Sequence, residues 1–115
     1  MDEQRARELL ARERSRIEHE LSELAPEFDP DSADVLTETE QEVDEHLYDK
    51  ERDVGRRAEL REELAAVERA EQRLAEGTYG LSVESGQPIP DGRLELIPYA
   101  ERTAEEQSRY ERLGR

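Results

Sequence analysis

The sequence predicts a mainly α fold: an antiparallel helical hairpin of the coiled-coil kind, then a small knuckle and a short C-terminal helix. Three observations carry this. Apolar residues recur at helical spacing in two stretches, Leu10, Ile17 and Leu24 in the first and Val43, Leu47, Val54 and Ala58 in the second. Between them "APEFDPDSAD" holds Pro26 and Pro30, which disfavour a continuing helix. After Gly77 the chain turns rich in Gly and Pro, "GTYGLSVESGQPIPDGRLELIPYA", the composition of turns. A 115-residue chain that is 33% hydrophobic and 43% charged, with four Tyr and one Phe, cannot fill a large globular core, so the architecture is thin.

The first helix runs from about Asp2 to Ala25, with Leu21 supplying an intermediate position of its narrow seam. Asp31 or Ser32 is placed to cap the next helix, which extends from about Val35 or Thr37 to Glu76. Near Gly55, which marks a bend or only a local loss of helix stability, the apolar face broadens as Leu60, Leu64, Val67 and Leu74 join Ala58 and Ala65. At ~1.5 Å per residue the two helices measure roughly 35 Å and roughly 60 Å. The expected solution is a hairpin over residues 1–76 with an acidic tip near 26–36, the first helix covering the first half of the second. The broad half then packs against residues 77–115. In that second unit Tyr79 to Val83 and Leu94 to Ile97 read as β-capable pieces, and "ERTAEEQSRYERLGR" reads as a terminal helix with Ala104 and Tyr110 facing inward.

Charge narrows the function. Asp and Glu total 32 against 17 Lys and Arg, a net charge of −15, which opposes any role that neutralises phosphates; no direct sequence-specific DNA binding is expected. From Ile17 to Asp49 there is no Lys or Arg, and such a run favours a basic partner surface or a divalent cation; the plain alternative is a solvated helix face or the acidic surface of a salt-adapted organism. There is no cysteine, no apolar run near the ~20 residues that cross a bilayer, and no signal-like apolar region in "MDEQRARELL"; a cytoplasmic protein without membrane association is expected. His19 and His46 lie on charged helices without a nucleophile at catalytic spacing and read as solvent-facing. Gly77 and Gly80 leave a helix rather than a strand, so they form no phosphate loop. Neither an enzyme nor a cofactor is expected.

The run "AEGTYGLSVESGQPIPDGRLELIPYAERTAEEQ" resembles the C-terminal zinc-finger module of the DksA/TraR family, regulators that bind RNA polymerase through its secondary channel. The resemblance rests on Gly77, Tyr79 and Gly80, on Gly86, Pro88, Ile89 and Pro90, on Arg93, Leu94 and Glu95, and on Pro98, Tyr99 and Ala100. It implies a zinc-finger-like knuckle. Where that module carries two C-x-x-C pairs, this chain has Ser82 and Ser85, then Thr103 and Glu106. Neutral hydroxyls are poor zinc ligands and one carboxylate cannot replace four thiolates, so a knuckle without zinc is expected. It must be held by other contacts: hydrogen bonds among Ser82, Ser85 and Thr103, and packing of Tyr79, Ile89, Leu94, Leu96, Ile97 and Tyr99 on the second helix. The serines also read simply as turn residues.

The resemblance further implies that the hairpin presents acidic residues at its tip near the polymerase's catalytic magnesium. Asp29, Asp31 and Asp34 occupy the connection here, and Asp31 and Asp34 match the family's Asp-x-x-Asp-x-Ala pattern, with Leu36 in place of the alanine. Phe28 is either a contact to the partner or a staple over the helix ends. The expected protein is a monomeric transcription regulator acting on RNA polymerase. The alternative is a coiled-coil adaptor or dimerisation protein that keeps the scaffold, and it would need an exposed apolar stripe along the hairpin.

Overall fold

The structure, a computed structural model, describes residues 1–24 and 40–114, with the backbone alone for 40–51. Four helices follow in order: α1 (Glu3–Glu23), α2 (Glu40–Glu76), α3 (Asp91–Leu96) and α4 (Ala104–Arg112). Helix α1 starts where Asp2, as N-cap, accepts the amide of Arg5 at 3.4 Å. Helix α2 runs unbroken through Gly55 and stops at Gly77, whose φ of 83° few other residues adopt. There Thr78 N donates to Arg73 O at 2.9 Å and Gly77 N to Leu74 O at 3.3 Å, so two end carbonyls of the helix are satisfied as the chain reverses.

Helices α1 and α2 pack antiparallel through a core of Leu10, Ile17, Leu60, Val67 and Ala70, flanked by Leu21, Leu24, Leu64 and Leu74. Ala6 and Leu9, which the seven-residue spacing does not single out, are buried too. Ion pairs along the edges fix the register: Arg14 meets Glu71, Arg16 meets Glu63 at 3.4 Å, and Arg56 meets Glu20.

This register corrects one expectation. Helix α1 covers the second half of α2, not the first. Val54, expected in the seam, is 59% exposed, and Ala58 is exposed where neighbouring Arg57 is buried. The other residues of that seam, Val43 and Leu47, have side chains outside the described set. The broad apolar face therefore serves two partners side by side on one stretch of helix. At about 100° per residue, Leu60, Leu64, Val67 and Leu74 line one face, with Ala70 at its edge, and Ala66, Arg69 and Arg73 the adjacent one. The first receives α1. A groove on the second is lined by Ala66 and Arg69 from α2 and by Tyr99, Ala100, Glu101 and Arg102 from the segment after α3.

The last third departs from expectation at Leu94 to Ile97, which is helical. Helix α3 opens on Pro90, whose carbonyl accepts the amides of Arg93 and Leu94 at 3.0 and 3.2 Å. A strand would put Leu94 and Leu96 on one side. The helix instead sets Leu94 (1% exposed) and half-buried Ile97 inward and leaves Leu96 83% exposed, so Leu96 does not pack on α2. The other β-capable piece supplies a single bridge, Leu81 to Pro88, rather than a hairpin of two strands. In α4 Tyr110 is half-buried but Ala104 is exposed, because Ala104 falls in the first turn facing solvent.

Candidate functional site

Beyond Gly77 the chain makes a tight turn. Ile89 N donates to Gly80 O at 2.7 Å, Ser82 N to Gln87 O at 2.8 Å and Gly86 N to Ser82 O at 2.9 Å, and Gly86 closes the turn with φ 74°. Ser82 sits inside it, 5% exposed. Its Oγ accepts the amides of Glu84 at 3.1 Å and Ser85 at 3.3 Å, while Ser85 Oγ accepts that of Gln87 at 3.2 Å. Both serines are thus turn residues, as their type suggests.

The second pair of positions begins α4. Thr103 is the N-cap: its Oγ1 accepts the Glu106 amide at 3.2 Å, and Glu106 Oε1 accepts the Thr103 amide at 2.9 Å. This reciprocal arrangement is a capping box. Glu106 is nevertheless more than a cap, because it is buried, 7% exposed, and faces the first pair. The nearby hydroxyls of Ser82 and Ser85, with the Thr103 amide and hydroxyl, pull its pKa down from 4.5 to about 2 against the opposing effect of burial. Of the hydrogen bonds expected among Ser82, Ser85 and Thr103, the turn makes that of the Ser85 amide to Ser82 Oγ, while Thr103 bonds with Glu106 instead. The sequence carried a signal for this residue: Thr103-x-x-Glu106 is a capping-box pattern.

Those contacts answer whether zinc fits. Zinc is held by thiolates, imidazoles and carboxylates. Here three positions offer neutral hydroxyls, and the single carboxylate already accepts the Thr103 amide. The residues present do not fit a zinc ion. Among the described residues, no group of three or more His, Cys, Asp or Glu is placed to hold a metal.

The knuckle is fastened to the hairpin at several points. Glu101 Oε1 accepts Arg69 Nε at 3.1 Å and Nη2 at 2.7 Å, while its backbone carbonyl accepts Val83 N at 2.9 Å. Tyr79 donates its hydroxyl to Pro98 O at 2.8 Å and joins both apolar clusters, that of the hairpin and that of Ile89, Leu94 and Ala100. Arg5 on α1 grips Glu95 on α3 with a fork of 3.0 and 2.8 Å. Arg102 pairs with Glu84 at 3.0 Å and lies 3.8 Å over the Tyr110 ring, which seats α4 on the knuckle.

The acidic positions Asp29, Asp31 and Asp34, with Phe28 and Leu36, lie outside the described residues. His19 is solvent-exposed, as expected, and the side chain of His46 is not among those described. No helix among the described residues is long and apolar enough to cross a membrane.

A two-helix hairpin that carries a small knuckle defines the class. Residues 77–112 match the family described as prokaryotic dksA/traR C4-type zinc finger. Over these residues the chain is similar to the DksA/TraR C4 zinc-finger family, without its cysteines. It is 50% identical over 48 residues to general stress protein 16O of Bacillus subtilis, covering 42% of this chain and 29% of that one. With the RNA polymerase-binding transcription factor DksA of Caulobacter vibrioides it shares 34% identity over 83 residues, 72% of this chain and 55% of the relative. The matches thus span about half or less of these relatives' own lengths. The solved structure of transcription factor DksA2 from Pseudomonas aeruginosa superposes with a TM-score of 0.67 at 28% identity, covering 97% of this chain and 84% of that one.

Proposed function

We propose that this chain is a transcription regulator that binds RNA polymerase as a monomer and carries the acidic connection with Asp29, Asp31 and Asp34 into the secondary channel. Residues 1–76 act as the inserting hairpin and 77–115 as the module at its base. The observation that carries the reading is the length mismatch of the two helices. An ion pair joins α1 to α2 at Glu20 and Arg56, and α2 reaches back from there to Glu40. The backbone of α2 thus continues about 16 residues, roughly 24 Å, before Arg56. Similarity to a DksA named as RNA polymerase-binding supports the partner. An adaptor would need an apolar stripe, and along the described hairpin Val54 is the large hydrophobic left exposed.

The test is D31N/D34N in a purified transcription assay, with a pull-down of polymerase beside it. The substitutions keep size and polarity while removing the charge that an Arg or a metal ion would sense. The regulatory effect is expected to fall sharply with melting little changed, since exposed substitutions usually stay within about 0.5 kcal/mol. An unchanged effect, or a wild-type protein without polymerase affinity, moves the weight to the adaptor.

A further inference from the structure

We infer that the first turns of α1 are a strap that holds the knuckle shut, with the fork of Arg5 on Glu95 as its fastening. The first observation is a second buried face on α1. Leu10 and Ile17 belong to the core shared with α2. Leu9 lies about 100° round the helix from Leu10 and is 7% exposed, so a face of α1 turned aside from that seam is covered as well. Arg5, four residues before Leu9, stands on the same face. There it meets α3: Nε and Nη2 donate to the two carboxylate oxygens of Glu95 at 3.0 and 2.8 Å. Met1, four residues further back, packs its side chain, 3% exposed, against the cluster of Ile89, Leu94 and Ala100.

The knuckle needs support from outside. Its own buried apolar side chains are Ile89, Leu94 and Ala100, too few to order a run of turns and two short helices by themselves. Tyr79 and Ile97 add to that cluster from within the segment, and Met1 adds to it from the other end of the described chain. An ion pair between exposed groups ordinarily contributes little, and Arg5 and Glu95 are 40% and 42% exposed. Two features raise this one: the fork uses both carboxylate oxygens, which fixes its geometry, and it joins residues 90 apart in sequence. Across the knuckle, Arg69 of α2 holds Glu101 through Nε and Nη2. Both helices of the hairpin are thus tied to the knuckle. Residue 77 follows α2 directly along the chain, whereas α1 reaches the knuckle only through space, so the tie to α1 is the one that side chains must supply. The inference concerns the chain by itself and does not rest on the partner proposed above.

Amide hydrogen exchange on the full chain tests this with a charge swap. R5E and E95R each break the fork and set like charges together, and R5E/E95R restores opposite charges. The amides to follow are those of Ile89, Leu94, Ile97 and Ala100, all hydrogen-bonded within the knuckle. Each single variant is expected to speed their exchange about fivefold or more, and the swap to return it to within about twofold of the parent. Leu60 and Val67, in the hairpin core, are the reference and are expected to keep their protection. Rescue by the swap separates a fastening from a change in the helix propensity of α1, which the swap would not undo. The inference is overturned if the single variants affect α1 alone, or if the swap leaves the knuckle amides fast. It is overturned as well if protection at Leu60 and Val67 falls in step with the knuckle, because the fork would then steady the whole chain rather than strap one part of it.

Discussion

The hydroxyl of Tyr79 donates to the backbone carbonyl of Pro98 at 2.8 Å, which joins the entrance of the knuckle to the segment that leads into α4. Tyr79 is half-buried, its ring touches both apolar clusters, and burial pushes its phenol up to about 12. Pro98 is itself buried. The Y79F variant keeps the ring and strands that carbonyl, so a loss of about 1–2 kcal/mol is expected in denaturant unfolding. In the parent protein, the ultraviolet titration of this phenol should come well above the ordinary tyrosine range. A Y79F variant as stable as the parent would show that the bond is replaceable by water.

Leu94 and Leu96 distinguish helix from strand in the segment after Pro90. Leu94 is 1% exposed and Leu96 83% exposed. L94A is expected to cost about 2–5 kcal/mol, whereas L96A should stay within about 0.5 kcal/mol. Similar losses for the two variants would place both side chains inward, as the strand reading has it.

The acid limb of stability should carry the signature of Glu106. A carboxyl with a depressed folded pKa stabilises fully above its unfolded value and loses that contribution as pH falls through the folded one. For Glu106 the window runs from 4.5 down to about 2. Glu20 and Glu95 are held low by Arg56 and Arg5, and they titrate alike in the parent and in E106Q. The stability difference between parent and E106Q is therefore expected to shrink as pH is lowered through this window. A difference that stays constant from neutral pH into the acid would contradict the assignment.

Metal removal should leave the protein as it was. Small fingers that fold around zinc draw on the order of 10 kcal/mol from the ion, so a chelator unfolds them. With Ser82, Ser85, Thr103 and Glu106 at the ligand positions, purified protein is expected to contain no stoichiometric zinc, and its melting temperature should not respond to chelator. One tightly bound zinc per chain in elemental analysis is the contrary result.

What the sequence determined by itself is local. The repeat of Leu10, Ile17 and Leu24 specifies α1, Gly77 with its positive φ ends α2, and the ordered landmarks from Gly77 to Ala100 mark the knuckle, because spacing along one chain is enough for each. Tertiary structure decided what depends on distant partners. The seam of α1 suits either half of α2; Arg14, Arg16 and Glu20, facing Glu71, Glu63 and Arg56, accompany the register that places it on the second half. Four apolar or acidic residues from Leu94 to Ile97 suit a strand or a helix equally, and the burial of Leu94 beside Ile89 and Ala100 goes with the helix. Glu106 could be read from sequence as a poor ligand or as one half of a capping box. Only the folded structure buries its side chain, on a groove that Ser85 also lines, because what covers the first turn of α4 comes from residues distant along the chain and spacing says nothing of that approach.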